Sequence, residues 1–135
     1  MDKFLEIAYK EAKKAYDKLE VPVGAVIVKD GKVVSKAYNL RETKKNALAH
    51  AEILCIDKAC KKLKNWRLEG CIMYVTLYPC KMCIGAIRES RIDKVYFGAY
   101  DDKNVCNDKK CEYIQNDECT NILKDFFEKI RKDKK

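Results

Sequence analysis

Apolar residues recur at helical spacing over residues 2–19, where Phe4, Ile7, Ala8, Ala12, Ala15 and Leu19 form one stripe with lysines between them. Pro22 ends that stretch and the pattern changes. Val23 to Val28 is a nearly continuous apolar run, as expected of a strand buried on both faces. Asp30-Gly31 is a hairpin turn signal, and Lys32 to Tyr38 reads as the return strand. Residues 39–46 are polar and read as a loop. Helical periodicity returns from about Ala49 to Leu63, with Ile53, Leu54, Ile56, Ala59 and Cys60 apolar. A connection over residues 65–70, in which Trp66 is expected to be packed, leads to a third apolar strand from Cys71 to Leu77. Pro79 and Cys80 open a helix running to about Glu89, because a first helical turn has no use for the N–H that Pro lacks. Lys94 to Gly98 is a fourth strand, residues 100–110 are turn-like, and Glu112 to Ile114 is a short fifth strand. Asn116 or Asp117 caps a last helix reaching about Lys132, with Ile122, Leu123, Phe126, Phe127 and Ile130 as its stripe. The order α-β-β-α-β-α-β-β-α predicts a single α/β domain over residues 1–135, one sheet covered by helices.

Composition narrows the class. The chain has 135 residues and a formal net charge of +8, from 29 Lys and Arg against 21 Asp and Glu. That balance favours a polyanionic partner such as nucleic acid, although a solvated lysine-rich surface accounts for it equally well. No run approaches the ~20 apolar residues of a membrane span, and the first residues lack the apolar core of a secretion signal. A cytoplasmic protein is expected. Its eight cysteines are then reduced thiols with one metal pair rather than a disulfide framework.

The candidate chemistry lies in two short segments, His50-Ala51-Glu52 and Pro79-Cys80-Lys81-Met82-Cys83. Together they match the H-x-E…P-C-x-x-C pattern of zinc-dependent deaminases. Residues three apart share a helix face, so Cys80 and Cys83 can aim both sulfurs at one point. The positive end of their helix favours the thiolates, and His50, read as lying in the first turn of its own helix, supplies a nitrogen. Zinc suits this mixed donor set, one ion per chain. His50 is the only histidine, and three protein donors leave a fourth position open, the pattern of a catalytic rather than a structural site. Glu52, two residues beyond His50, points away from the imidazole. It is a poor co-ligand and a good general acid–base for hydrolytic deamination of an amino-purine or amino-pyrimidine. Cys106 and Cys111 have no histidine to complete a second site. They are read, with Cys55, Cys60, Cys71 and Cys119, as ordinary thiols.

Beyond these motifs the chain resembles the bacterial tRNA-specific adenosine deaminases along nearly its whole length. The matching stretches are Glu20–Val26, Tyr38-Asn39, Ala49–Glu52, Tyr74–Leu77, Pro79–Cys83, Ser90–Ile92, Val95–Ala99 and Asp125–Phe127. The resemblance implies a three-layer α/β/α cytidine deaminase-like fold with a central five-stranded mixed sheet. It implies adenosine-to-inosine conversion at the wobble position of a tRNA anticodon, in a homodimer. It also implies that Asn39, Val21 and Ala51 contact the substrate, that Asp101 lies near the RNA backbone, and that the last helix and its basic end touch RNA. There Lys129, Arg131 and Lys132 belong to a segment, Thr120–Lys135, of net charge +3. Two positions depart from the family. Tyr78 stands where members typically have Glu, and the segment from Tyr100 to Lys110 is much shorter than theirs. Leu48 replaces a small hydroxyl residue before the His50 helix, leaving Asn46 as its expected cap. A free guanine or cytosine deaminase, which shares the motif and fold, is the alternative. A silent zinc-binding partner subunit is a third reading, opposed by the intact Glu52.

Overall fold

The alternating apolar strands pair as one sheet in the computed structural model, which describes residues 2–101 and 108–133. The strands are β1 (Gly24–Lys29), β2 (Lys32–Tyr38), β3 (Cys71–Val75), β4 (Lys94–Phe97) and β5 (Cys111–Tyr113), and the sheet order is β2-β1-β3-β4-β5. β1 runs antiparallel to both β2 and β3, whereas β3–β4 and β4–β5 are parallel. The β1–β2 turn takes Asp30 and Gly31 at φ 51° and 75°, the double positive φ that a tight two-residue hairpin requires.

Because successive side chains point to opposite faces, β1 feeds two cores. Ala25 and Ile27 pack with Met73, Val75, Val95 and Phe97 against α3 (Ala51–Leu63) and α4 (Lys81–Glu89). Val26 and Val28 pack with Tyr74 against α1 (Lys3–Asp17) and α5 (Asp117–Asp133). The result is the expected three layers with a five-stranded mixed sheet in the middle. Helix α1 lies so close to β1 that a Cβ on Gly24 would fall 2.0 Å from the Ala8 carbonyl oxygen. On the same face Tyr9 lies near Glu118 and Cys119, while Tyr16 donates to Asp125 at 2.5 Å and meets Phe126 edge-on. Helices α1 and α5 therefore run side by side in the same direction. No helix among the described residues is long and apolar enough to cross a membrane.

Four local expectations are corrected. The polar stretch 39–46 contains a short helix, α2 (Arg41–Lys44). Its free N–H groups at Glu42 and Thr43 donate to the buried Glu20 carboxylate at 3.0 and 2.6 Å. Trp66 is 56% exposed, with the Arg67 guanidinium over its ring. Asn46 does not cap α3; it accepts from Leu48 N in a local turn. His50 itself occupies the α3 N-cap position, one residue before the helix. Asn116 does cap α5, accepting from Cys119 N at 3.0 Å. Cys106 lies outside the described residues.

Candidate metal centre and pocket

His50 and Cys80 each stand immediately before a helix with extended backbone, at φ −74°, ψ 151° and φ −70°, ψ 172°. Neither side chain bonds back to cap its own helix, so both are free to aim at a common point. Cys83 sits in the first turn of α4 and is buried. His50 Nδ1 lies 3.7 Å from Cys80 Sγ and 3.6 Å from Cys83 Sγ, and the three donor atoms all lie within 4.8 Å of one another. With Zn–N near 2.0–2.1 Å and Zn–S near 2.3 Å, the N···S edge of a zinc tetrahedron is about 3.6 Å. The donor spacing is thus that of three corners of such a tetrahedron. Burial, then the Arg41 charge, lowers the His50 pKa and keeps the imidazole neutral, as a ligand must be. Burial and the adjacent Glu52 and Cys80 push the Cys83 thiol up, and a coordinated cation reverses this by taking the proton's place.

Glu52, in the first turn of α3, is 4% exposed. Burial pushes its carboxyl up to about 7, against smaller opposing bonds from its own backbone N–H and the Cys83 thiol. A carboxyl titrating near neutral pH can both take and return a proton.

His50, Cys80 and Glu52 line a pocket of about 280 Å³. It lies where β3 and β4 end and β1 begins, at the carboxyl ends of the parallel strands where α/β sheets bind ligands. Val21, Asn39, Ala51 and Asp101 line it too, so every expected substrate-contacting residue and one of the expected RNA contacts meet there. Asn39 donates to Val21 O and accepts from Arg41 N, both at 3.2 Å, which fixes the amide and leaves one N–H and one lone pair free of these bonds. Val23, Arg41, Leu77 and Tyr78 complete the wall and were not anticipated. Of these, Tyr78 gave a signal as the residue standing where the resembled family has Glu, and Arg41 as a cation two residues from Asn39. Lys129, Arg131 and Lys132 do not line the pocket. They lie exposed at the end of α5, on the side where the parallel α1 leads through Glu20 into Val21.

Three buried or half-buried donors at zinc spacing, beside a carboxyl that titrates near neutrality, are the site of a zinc-dependent deaminase. Comparison with known proteins agrees. The family described as the cytidine and deoxycytidylate deaminase zinc-binding region matches residues 1–99. The tRNA-specific adenosine deaminase of Bacillus subtilis is 46% identical over 147 aligned positions, covering 98% of this chain and 91% of the relative. Those positions outnumber the residues of this chain, so the relative carries segments that are missing here. A solved structure from work on A-to-I editing by tRNA:A34 deaminases matches with a TM-score of 0.80 at 37% identity, covering 89% of this chain and 98% of the other. A guanine deaminase from Bacillus subtilis matches with a TM-score of 0.70 at 39% identity, covering 74% and 66%. The chain belongs to the tRNA-specific adenosine deaminase family.

Proposed function

We propose that this protein deaminates adenosine to inosine at the wobble position of a tRNA anticodon. The observation that carries the reading is the joint geometry of His50, Cys80 and Cys83 at tetrahedral spacing with buried Glu52 in the same small pocket. The choice of adenosine in tRNA rests on the relatives. A pocket this size is at the small end for ligands and suits one base. Because that base is stacked in RNA, it must be flipped out to enter.

Zinc, held by His50, Cys80 and Cys83, supplies Lewis acidity and lowers the pKa of water to about 7. Glu52 takes a proton from the attacking water and passes it to the purine ring nitrogen, then takes the second proton from the hydroxyl now on the ring carbon and passes it to the departing amine, and so ends where it began. Water adds at the amine-bearing carbon and ammonia leaves, so water is the only co-substrate consumed and no oxidant is needed. Val21, Asn39 and Ala51 hold the base. Asp101, Lys129, Arg131 and Lys132 position the RNA. The enzyme works in the cytoplasm as a homodimer of single-domain chains.

The test is mass spectrometry of unmodified tRNA incubated with the purified protein. Inosine at the wobble position is expected. A second reading, free guanine deamination, is favoured by the guanine deaminase neighbour and by the short segment after Tyr100. Ammonia release from free guanine with no inosine in tRNA would establish it instead.

A further inference from the structure

An aromatic cluster adjoins the pocket and has no part in the proton transfers. Phe97, at the end of β4 and 2% exposed, meets the buried Tyr78 edge-on with centroids 4.9 Å apart. It also meets Tyr100 edge-on at 4.9 Å and stacks with Tyr113 at 5.3 Å. Tyr78 and Tyr100 are nearly parallel, 12° apart, and the Tyr100 and Tyr113 centroids are 4.6 Å apart. The inner half of the cluster is closed to solvent, while Tyr100 is 50% and Tyr113 39% exposed. Tyr78 lines the pocket, as does Asp101, the residue after Tyr100. Tyr100 therefore packs on a residue of the pocket wall and precedes another in the chain, and Tyr113 packs against Tyr100.

A single exposed tyrosine needs no explanation. Two in mutual contact, braced on buried rings at the edge of a binding pocket, are a different matter. Their bracing means that little side-chain freedom remains to be lost when something stacks on them. Unpaired bases are bound by stacking on aromatic rings. A base drawn into the pocket leaves its stack, and its neighbour in the strand is left with a bare face next to the pocket. The net charge of +8 suits the phosphates that such a strand carries.

The geometry points to a stacking platform: Tyr100 and Tyr113 hold the unpaired nucleotide immediately beside the target base in a single-stranded RNA loop. This rests on the RNA-loop reading above, since a free base has no neighbour to stack.

The experiment uses the full zinc-loaded chain and an anticodon stem-loop, intact or with an abasic site on either side of the target adenosine. Tyr100→Ala and Tyr113→Ala should each raise KM on the intact loop, by roughly fivefold to a hundredfold given alanine-scan values for base stacking, with zinc content and melting temperature retained. Tyr100→Phe keeps the ring and should restore most of the affinity. One abasic loop should raise the wild-type KM by a similar factor, and Tyr100→Ala should add nothing to it. Equal wild-type KM on intact and both abasic loops, a comparison that needs no variant, would overturn the platform. So would unchanged KM in both alanine variants, or a shift from dimer to monomer in Tyr113→Ala, which would assign the rings to a contact between chains. If wild type turns over free guanine but not the loop, the RNA-loop reading falls and the platform with it. If wild type turns over the loop and the variants match it, only the platform falls.

Discussion

The pocket has two walls that were built in different ways. The metal wall consists of His50 and Glu52 at the start of α3 and Cys80 at the start of α4, with the buried Cys83 in the first turn of α4 as the third donor. Each pair is fixed by one short segment, and two helix starts then need only meet. The opposite wall takes Val21 from before β1, Asn39 from after β2, Tyr78 from after β3 and Asp101 from after β4. On the function proposed above, the chemistry is concentrated on the first wall and most of the substrate contacts on the second. Damage to the metal wall should therefore abolish reaction on every substrate, whereas damage to the other should change which substrate is used and how tightly.

The largest effect is expected from Cys83→Ser. A hydroxyl cannot replace a buried thiolate corner, so metal analysis should find severe zinc loss and turnover should vanish on tRNA and free base alike. Full zinc retention would break the ligand assignment. Zinc uptake by the wild-type apoprotein should also release protons and strengthen as pH rises, because burial holds the Cys83 thiol protonated until the metal displaces the proton. A pH indicator in weak buffer reads this directly.

Next comes Glu52→Gln, which should keep zinc and fold but lower kcat by about 10²–10⁴-fold, the usual worth of general acid–base catalysis. It separates binding from chemistry within one wall. A variant retaining more than roughly a tenth of kcat would exclude Glu52 as the proton shuttle, since it would fall well short of that range.

The metal wall was legible in the sequence because its spacing is local: an H-x-E and a P-C-x-x-C carry their own geometry. Strand runs and the Asp30-Gly31 hairpin were legible for the same reason. What escaped was assembled across the chain. Helix α2 is only four residues long, and its polar sequence looked like loop. It exists because Glu20, some twenty residues earlier, caps it from the interior. Buried Glu11 interrupts the apolar face of α1 and is matched by Lys14 at 2.7 Å. The aromatic cluster draws on three separate segments, and no period in the sequence announces it.

Glu20 offers a stability test on the second wall, because α2 carries the pocket residue Arg41. Burial alone would raise the Glu20 carboxyl, but the bonds from Thr43 and Glu42 and the Arg41 charge outweigh it and hold it below the usual range. A lowered folded-state value means the stabilisation is complete above the unfolded-state carboxylate value and is lost as pH falls through the folded value. Glu20→Gln should cost on the order of 2–4 kcal/mol near neutral pH, from two charge-assisted bonds and a misplaced amide. Melting curves of variant and wild type should converge in acid. A gap independent of pH would show that shape, not charge, is what Glu20 contributes.

The smallest expected effect tests how far the second wall extends. Lys129, Arg131 and Lys132 lie on the exposed end of α5, beyond the pocket but on its side of the molecule. If they meet phosphates, each contact removed should lower the slope of log K against log salt by roughly 0.7–0.9. The three should not count equally. The Lys129 ammonium already lies 5.5 Å from the centre of the Tyr16 ring, a contact worth about 0.5–1 kcal/mol at an exposed site, and that ring is itself tied to Asp125. Moving Lys129 onto a phosphate gives that contact up, so Lys129→Ala should change the slope less than Arg131→Ala or Lys132→Ala. Lysines at a helix C-terminus are favourable without any ligand, so stability alone cannot decide the matter. The deciding measurement is KM on an anticodon stem-loop across a salt series, for the three single variants and the triple. A slope that falls in the order Arg131 or Lys132, then Lys129, places the end of α5 on the RNA surface. An unchanged slope in the triple variant confines substrate recognition to the pocket and its rim.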